Sequence, residues 1–417
     1  MSIDVQPPGA PGPAPAGDDR GAGALPFDAE RLDRAMRDAG IDVLLISARH
    51  NVRYMLGGYR HHYYANEESL GLSRYQPVVG YVAGAPQQAF FVGSWMDRDP
   101  LALHPIWVAD VRAVTTDGTQ TGALVVDALR SRGLTRGTIG IEAPFLSVEA
   151  YRPIADSLTA ARFVDAVPVL EHLRAVKRPH ELRLLREASE RTVDSMLAVF
   201  ARAGAGDTAV DLEGWMNEEQ LRRHVEFLFT FIALGTDGNR TPSHRPLERG
   251  LTISLDSAGK LEDYIGDLAR MAIVGEPDED HVHALEAVDL VQMAAREPIR
   301  AGAIGSAIYD AADQAVSDSP FGADIAFVAH GIGLVSHEAP RLAQGTANPH
   351  RYPAAHRDLP LEAGMAVSIE TTLAHPRLGY VKLEDTVAVT TDGCEGYGDG
   401  GRSWNVIDTK RKMRTRA

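Results

Sequence analysis

The sequence predicts an α/β domain followed by an α+β domain. Three observations carry that expectation. The chain has 417 residues, long for a single hydrophobic core. Between about residues 41 and 164 short apolar runs of strand type alternate with helical segments, the mark of a layered α/β domain. From Pro179 onward a long helical stripe is followed by strand-like runs, and two further helical stretches separate those runs. The expected division is a tail over 1–25, an α/β domain over 26–175, an α+β domain over 176–409 and a basic tail over 410–417.

The first residues are rich in Pro, Gly and Ala, with no apolar period to offset the entropy of ordering, so 1–25 is expected to be disordered. After Phe27, Leu32, Met36 and Ala39 recur at helical spacing and Gly40 suits a C-terminal cap. Strands are expected at Ile41–Ser47, Val78–Val82, Ala89–Val92, Thr138–Ile141 and Arg162–Val164, with helices over Gly122–Arg132 and Ser147–Leu158. The run Tyr59-Arg60-His61-His62-Tyr63-Tyr64 packs imidazoles, aromatics and a cation into six residues. It reads either as an exposed amphipathic loop or as a loop that brings His61 or His62 to a substrate.

In the second domain Pro179 suits the first turn of a helix whose stripe is Leu182, Leu185, Ala188, Thr192, Met196 and Val199. A helix over Asp211–Arg223 and a buried strand over Phe227–Leu234 come next, then a loop ending at His244. Leu251, Ile253 and Leu255 alternate with Thr252, Ser254 and Asp256, a strand with one apolar face. A second run, Tyr264–Val274, makes a hairpin centred near Leu261 and Glu262, which would set Asp256 opposite Asp267. Helices over His281–Arg296 and Ile304–Ser317 should cover the sheet, with Val288, Val291 and Met293 in the core.

Composition narrows the function. A net charge of -15 opposes general binding to nucleic acid or anionic membrane, and the one basic run, Lys410-Arg411-Lys412, lies at the end. Cys394 is the only cysteine, which excludes an internal disulfide and a thiolate cluster. No run of about 18 apolar residues is present, and no basic segment followed by an apolar one opens the chain, so a cytoplasmic protein is expected.

Two facing carboxylates repel unless a proton or a cation intervenes, so Asp256 and Asp267 make sense as a wall of a metal site, although a solvated hairpin would also carry them. Downstream stand Ala329-His330-Gly331-Ile332-Gly333, then His337-Glu338-Ala339-Pro340, then Gly364 to Glu370, then Lys382-Leu383-Glu384-Asp385-Thr386. Asp256, Asp267, His330, Glu370 and Glu384 form a hard, mostly oxygen set that suits divalent ions. Gly331 and Gly333 are expected to let substrate or metal approach closely.

In this order and spacing the motifs resemble the pita-bread metallopeptidases, in the branch of creatinase, prolidase and aminopeptidase P, over roughly residues 176–392. The segments Ile41–Leu45 and Asn51–Tyr59 resemble the N-terminal domain of the same branch. The resemblance implies a creatinase-type α/β domain, then a pita-bread domain whose five ligands hold two divalent ions, manganese first, with cobalt, zinc or iron as alternatives. It implies an ionised water as nucleophile, Glu370 as proton shuttle and His337 as a donor to the developing oxyanion. It places His244 against the substrate and implies a homodimer that acts on small peptides, most simply at Xaa-Pro bonds. Where prolidases carry Pro after the first Glu and Arg before the second, this chain has Thr371 and Lys382, and Lys382 is expected to contact substrate. The segment between Pro340 and Leu361, with His350, Arg351, Tyr352, His356 and Arg357, would form a selecting loop. These departures leave open a small-molecule C–N or C–S cleaving enzyme of creatinase or dimethylsulfoniopropionate-lyase type, and, further off, a binding module without catalysis.

Overall fold

A computed structural model describes residues 25–70, 73–343 and 356–409. Nearly all of the expected N-terminal tail, all of the basic C-terminal tail, and His350, Arg351 and Tyr352 lie outside the described residues.

The first part is a six-stranded mixed sheet of β1 (Val43–Ile46), β2 (Val78–Val82), β3 (Phe90–Ser94), β4 (Asp110–Thr115), β5 (Gly137–Ile141) and β6 (Ala161–Asp165), in the order β4-β3-β2-β1-β5-β6. Helices at Ala29–Ala39 and Val167–Ala175 pack on one face, and those at Gly118–Ser131 and Val148–Ser157 on the other. The first helix stops where expected, since Gly40 takes φ 63°, and Leu32 and Met36 are buried while Ala39 faces solvent. Strand β4 was not expected from the sequence. It lies at the sheet edge with Val111 and Val114 exposed, so it lacks the continuous apolar signature of its neighbours.

The second part is an eight-stranded sheet built from β7 (Glu226–Leu234), β8 (Thr252–Leu261), β9 (Tyr264–Val274), β10 (Ile325–Gly331), β11 (Ala366–His375), β12 (Gly379–Val389), β13 (Cys394–Tyr397) and β14 (Asn405–Ile407). Its main path runs β10-β11-β12-β9-β8-β7. The helix Pro179–Arg202 lies along β8 and β9 through buried Leu185, Ala188, Thr192, Met196 and Val199, with Leu182 half-buried. Pro179 stands in its first turn, and Glu181 accepts the Arg178 amide at 2.7 Å.

Three expectations about this part are corrected. Strand β7 is buried only in part: it is an edge strand hydrogen-bonded to β8 alone, with Leu228 and Phe231 exposed, while Thr230 and Ile232 to Leu234 are buried, the last under the helix Ala209–Arg222. In the helix Glu279–Arg296, Val288 and Val291 are buried but Met293 is half-buried, and the fully buried neighbour is Gln292. That amide is satisfied by Ile369 O, Asp385 and Thr371, which lets a polar side chain occupy a core position.

The hairpin register is the third correction. Glu262 and Asp263, both at positive φ, form a two-residue turn, so the hairpin is centred one residue later than the sequence suggested. Asp256 therefore faces Ala269, and Asp267 faces Ala258. The shift moves each cross-strand partner by two positions, and a period of two leaves both aspartates on one face.

Candidate metal centre

The ligand candidates come one from each of five adjacent strands. Across the path β10-β11-β12-β9-β8 these are His330, Glu370, Glu384, Asp267 and Asp256. The ladders bring them together: Glu370 pairs with Glu384 directly, Glu384 lies opposite Ala269, and Ala269 lies opposite Asp256. Sequence separations of more than a hundred residues thus collapse onto one sheet face. Asp256, Asp267 and Glu384 offer ligand oxygens within 4.8 Å of one another, and ring nitrogens of His330 and His337 lie within the same distance of each other and of a Glu370 oxygen.

Charge crowding marks the first group. Burial and the neighbouring Glu384 and Asp256 carboxylates hold the Asp267 carboxyl well above its usual range, and its Oδ1 is buried with no hydrogen-bond partner. Glu384, buried among Glu370 and Asp256, is pushed up to about 7. An orphaned acceptor inside three buried carboxylates fits a hard divalent cation. Ser368, two residues before Glu370 on the same face, donates to Glu384 at 3.0 Å and orients it.

The second group is built around imidazole. His330 Nε2 lies 3.0 Å from Glu370 Oε1, and the His330 and His337 rings stack with centroids 3.8 Å apart. Burial favours neutral His330, but the Glu370 contact outweighs it and raises its pKa. Glu370 itself is held well below the usual carboxylate range, since Lys382 and His330 overcome the cost of its burial.

Lys382 joins the two groups. It stands two residues before Glu384 on β12, so it shares that face, and its ammonium lies 2.6 Å from Asp256, 2.7 Å from Glu370 and 2.8 Å from Glu384. Arg240 also contacts Asp256. The sequence had marked the loop carrying Arg240 only for His244; no local pattern distinguishes an arginine that folds back on the following strand.

Other expected residues are placed differently. His244 is exposed on the loop between β7 and β8. His62 is exposed, whereas His61 is buried, stacked on Phe91 and 3.4 Å from Asp97. Gly331 and Gly333 make room for protein rather than for substrate or metal: a Cβ at Gly331 would meet the Ala339–Pro340 backbone at 2.3 Å, and one at Gly333 the Glu338 carboxylate at 2.1 Å. Thr371 faces away from the carboxylates and donates to Gln292 at 2.8 Å. His356 and Arg357 are held against the scaffold, His356 accepting the Arg341 amide and Arg357 lying over Tyr309.

Glu338, next to His337, is buried between Arg174 at 2.9 Å and Lys177 at 3.2 Å. Those cations overcome its burial and hold it below its usual range. Its amide donates to Gly331 O, and Gly331 N donates to Pro340 O, so the segment carrying His337 is clamped back on the His330 strand.

A carboxylate–imidazole centre on a largely antiparallel sheet, preceded by a mixed-sheet domain, defines a metallohydrolase. The chain belongs to metallopeptidase family M24, whose model matches residues 183–391, and the creatinase/prolidase N-terminal domain model matches residues 29–176. It is 28% identical over 400 residues to the probable dipeptidase PepE of Mycobacterium tuberculosis, covering 89% of this chain and 95% of that one. It is 25% identical over 273 residues to an Xaa-Pro dipeptidase of Pyrococcus furiosus, covering 62% of this chain and 72% of the relative. The fold matches a solved Xaa-Pro dipeptidase of Bacillus anthracis with a TM-score of 0.75 at 21% identity, over 91% of this chain and 99% of that one.

Proposed function

We propose that this chain hydrolyses the amide bond before proline in small peptides, as a dipeptidase or aminopeptidase, with two divalent ions for which manganese is the first choice. The observation that carries the reading is the delivery of five ligands of suitable chemistry by five neighbouring strands. When bound, such ions supply Lewis acidity and lower the pKa of a water. Asp256, Asp267 and Glu384 would hold one ion, and His330, Glu370 and Glu384 the other. Glu370, which Lys382 and His330 keep ionised, would accept the proton of the attacking water and return it to the leaving nitrogen. His337, stacked on His330, donates to the oxygen that gains charge. Exposed His244 and His62 are assigned to substrate contacts, the latter across a proposed homodimer. No helix among the described residues is long and apolar enough to cross a membrane, in keeping with a proposed cytoplasmic location.

One feature favours a second reading. Lys382 and Arg240 both contact Asp256, and a lysine replaces the planar arginine fork at this place, which would suit a small-molecule C–N or C–S substrate. Assay of the manganese-loaded protein against Xaa-Pro dipeptides and tripeptides separates the two. Turnover that depends on proline after the scissile bond is expected. Stoichiometric metal without turnover of any such peptide would overturn the peptidase reading.

A further inference from the structure

The mixed-sheet part of the chain carries a buried acid for which the proposed reaction has no use. Glu142 follows β5 directly and has no exposed surface. Its Oε2 accepts the Ser47 and Ala48 amides at 2.6 and 2.8 Å, and its Oε1 accepts the side-chain amide of Asn51. Burial pushes this carboxyl above its usual range, yet all three contacts are N–H donors, which match the ionised form and offer a carboxyl proton no acceptor.

The contacts continue toward the metal centre. Asn51, in the helix Arg49–Met55, turns its oxygen to Arg174. A guanidinium can only donate, so Arg174 fixes the Asn51 amide with oxygen toward itself and nitrogen toward Glu142. Arg174 donates in turn to Glu338 Oε2 at 2.9 Å, and the other oxygen of that carboxylate lies 3.2 Å from Lys177. Asn51, Arg174, Lys177 and Glu338 are all buried. Anion and cation therefore alternate, Glu142, Arg174, Glu338, Lys177, along a path that begins beside β5 and reaches the residue next to His337.

That far end is pinned from a second side. The Glu338 amide donates to Gly331 O at 3.0 Å, one residue from His330, whose ring stacks on His337. A side chain held by the first part of the chain and a backbone held by β10 together fix where the His337 segment lies. Displacement of a reacting group by about 1 Å can lower a rate on the order of a hundredfold, so the path has enough reach to matter.

We propose that Glu142 is a positioning residue for the hydrolysis: it holds Asn51 in the one orientation that serves Arg174, and Arg174 with Glu338 sets the His337 ring beside His330. The placement rests on the contacts themselves; its consequence for rate rests on the peptidase reading.

Glu142→Gln breaks the path, because the new amide nitrogen meets the Asn51 nitrogen, and turning Asn51 over sets that nitrogen against Arg174. Combining Glu142→Gln with Asn51→Asp gives every donor an acceptor again and keeps one negative charge in the pair. Turnover of Xaa-Pro dipeptides is measured on the manganese-loaded proteins, and the imidazole NMR signals of His337, assigned with His337→Ala, on the zinc-loaded ones. Glu142→Gln should lower kcat by about tenfold to a hundredfold with KM and metal content unchanged, and should shift the His337 signals. The double variant should return both toward the parent. Leu129→Ala, which opens a cavity under the helix on the opposite sheet face, controls for stability: its melting temperature should fall while kcat and the signals stay. Should Glu142→Gln not fold, Asn51→Ala cuts the same path, leaves the acid its two backbone donors and carries the same expectation.

Parent kcat with unmoved signals in the single variant would overturn the proposal. So would loss of metal alongside activity, or a double variant that regains the melting temperature but neither kcat nor the signals. A parent that hydrolyses no such peptide, with His337 signals that still move and return, would uphold the placement and sink the peptidase reading instead.

Discussion

Lys382 Nζ lies 2.6 Å from Asp256 Oδ2, and the same nitrogen reaches Glu370 and Glu384, so one ammonium spans both halves of the ligand set. Burial alone would lower the lysine pKa, but the three carboxylates raise it well above its ordinary value. It is therefore charged at every working pH, and divalent ions entering this centre meet a cation that belongs to the chain.

Replacing Lys382 by Met should cost the metal-free protein about 3–5 kcal/mol at pH 8, the range for stranding buried charge. Sign decides the pH dependence. Glu384, with its folded pKa raised to about 7, favours the folded state below its unfolded pKa near 4.5 and loses that contribution as pH rises through 7. The variant should then be hurt less at pH 5 than at pH 8, and manganese should restore most of the loss. Urea unfolding with EDTA and with manganese at both pH values measures this. An equal loss in all four conditions would mean that Lys382 acts only through packing.

Metal affinity should rise with pH between about 5 and 7 and level off above. Ions must displace the proton that burial and the neighbouring carboxylates hold on Glu384, pushed up to about 7. Calorimetry of manganese binding in buffers of different ionisation enthalpy should detect proton release near pH 6 and little above pH 8. Affinity independent of pH would show that the carboxylates are already ionised.

That the five candidate ligands share one sheet face was legible in the sequence because the candidates sit on strands, where a period of two fixes the face. That rule survived even the misplaced hairpin centre: moving the turn from Leu261–Glu262 to Glu262–Asp263 changed the partner of Asp256 and kept its side. Features that depend on three-dimensional neighbours were not legible. Nothing local tells that Arg240 folds onto Asp256, that Gly333 leaves room for Glu338, or that Gln292 is buried to serve Thr371 and Asp385. Edge strands β4 and β7 were missed or misjudged for a related reason, since exposure at an edge relaxes the apolar pattern that marks a central strand.

His337→Ala should lower kcat by about 10²–10³, the usual cost of removing a donor to a developing oxyanion, while metal content per chain stays unchanged. The alternative role is a ligand, because His337 offers a nitrogen within 4.8 Å of a His330 nitrogen and a Glu370 carboxylate oxygen. Metal analysis of the purified variant decides between them. Loss of metal in parallel with activity would make His337 a ligand and would leave the oxyanion without that donor.

Glu338→Gln keeps the side-chain volume and removes the one anion lying between Arg174 and Lys177. Two cations then remain buried without it, and stability should fall by about 3–5 kcal/mol. Adding Lys177→Met to the same protein removes one of the stranded charges, so the double variant should recover part of the loss, a coupling that packing alone would not produce. The same clamp bears on activity, since the Glu338 backbone bonds to Gly331 while its side chain ties the His337 segment to Arg174 in the helix Val167–Ala175. The single variant should accordingly lose kcat with metal content intact, and the double variant should regain stability more than rate, because charge balance is restored while the tie from the His337 segment to Arg174 is not. Full recovery of both would show that Glu338 acts on stability alone.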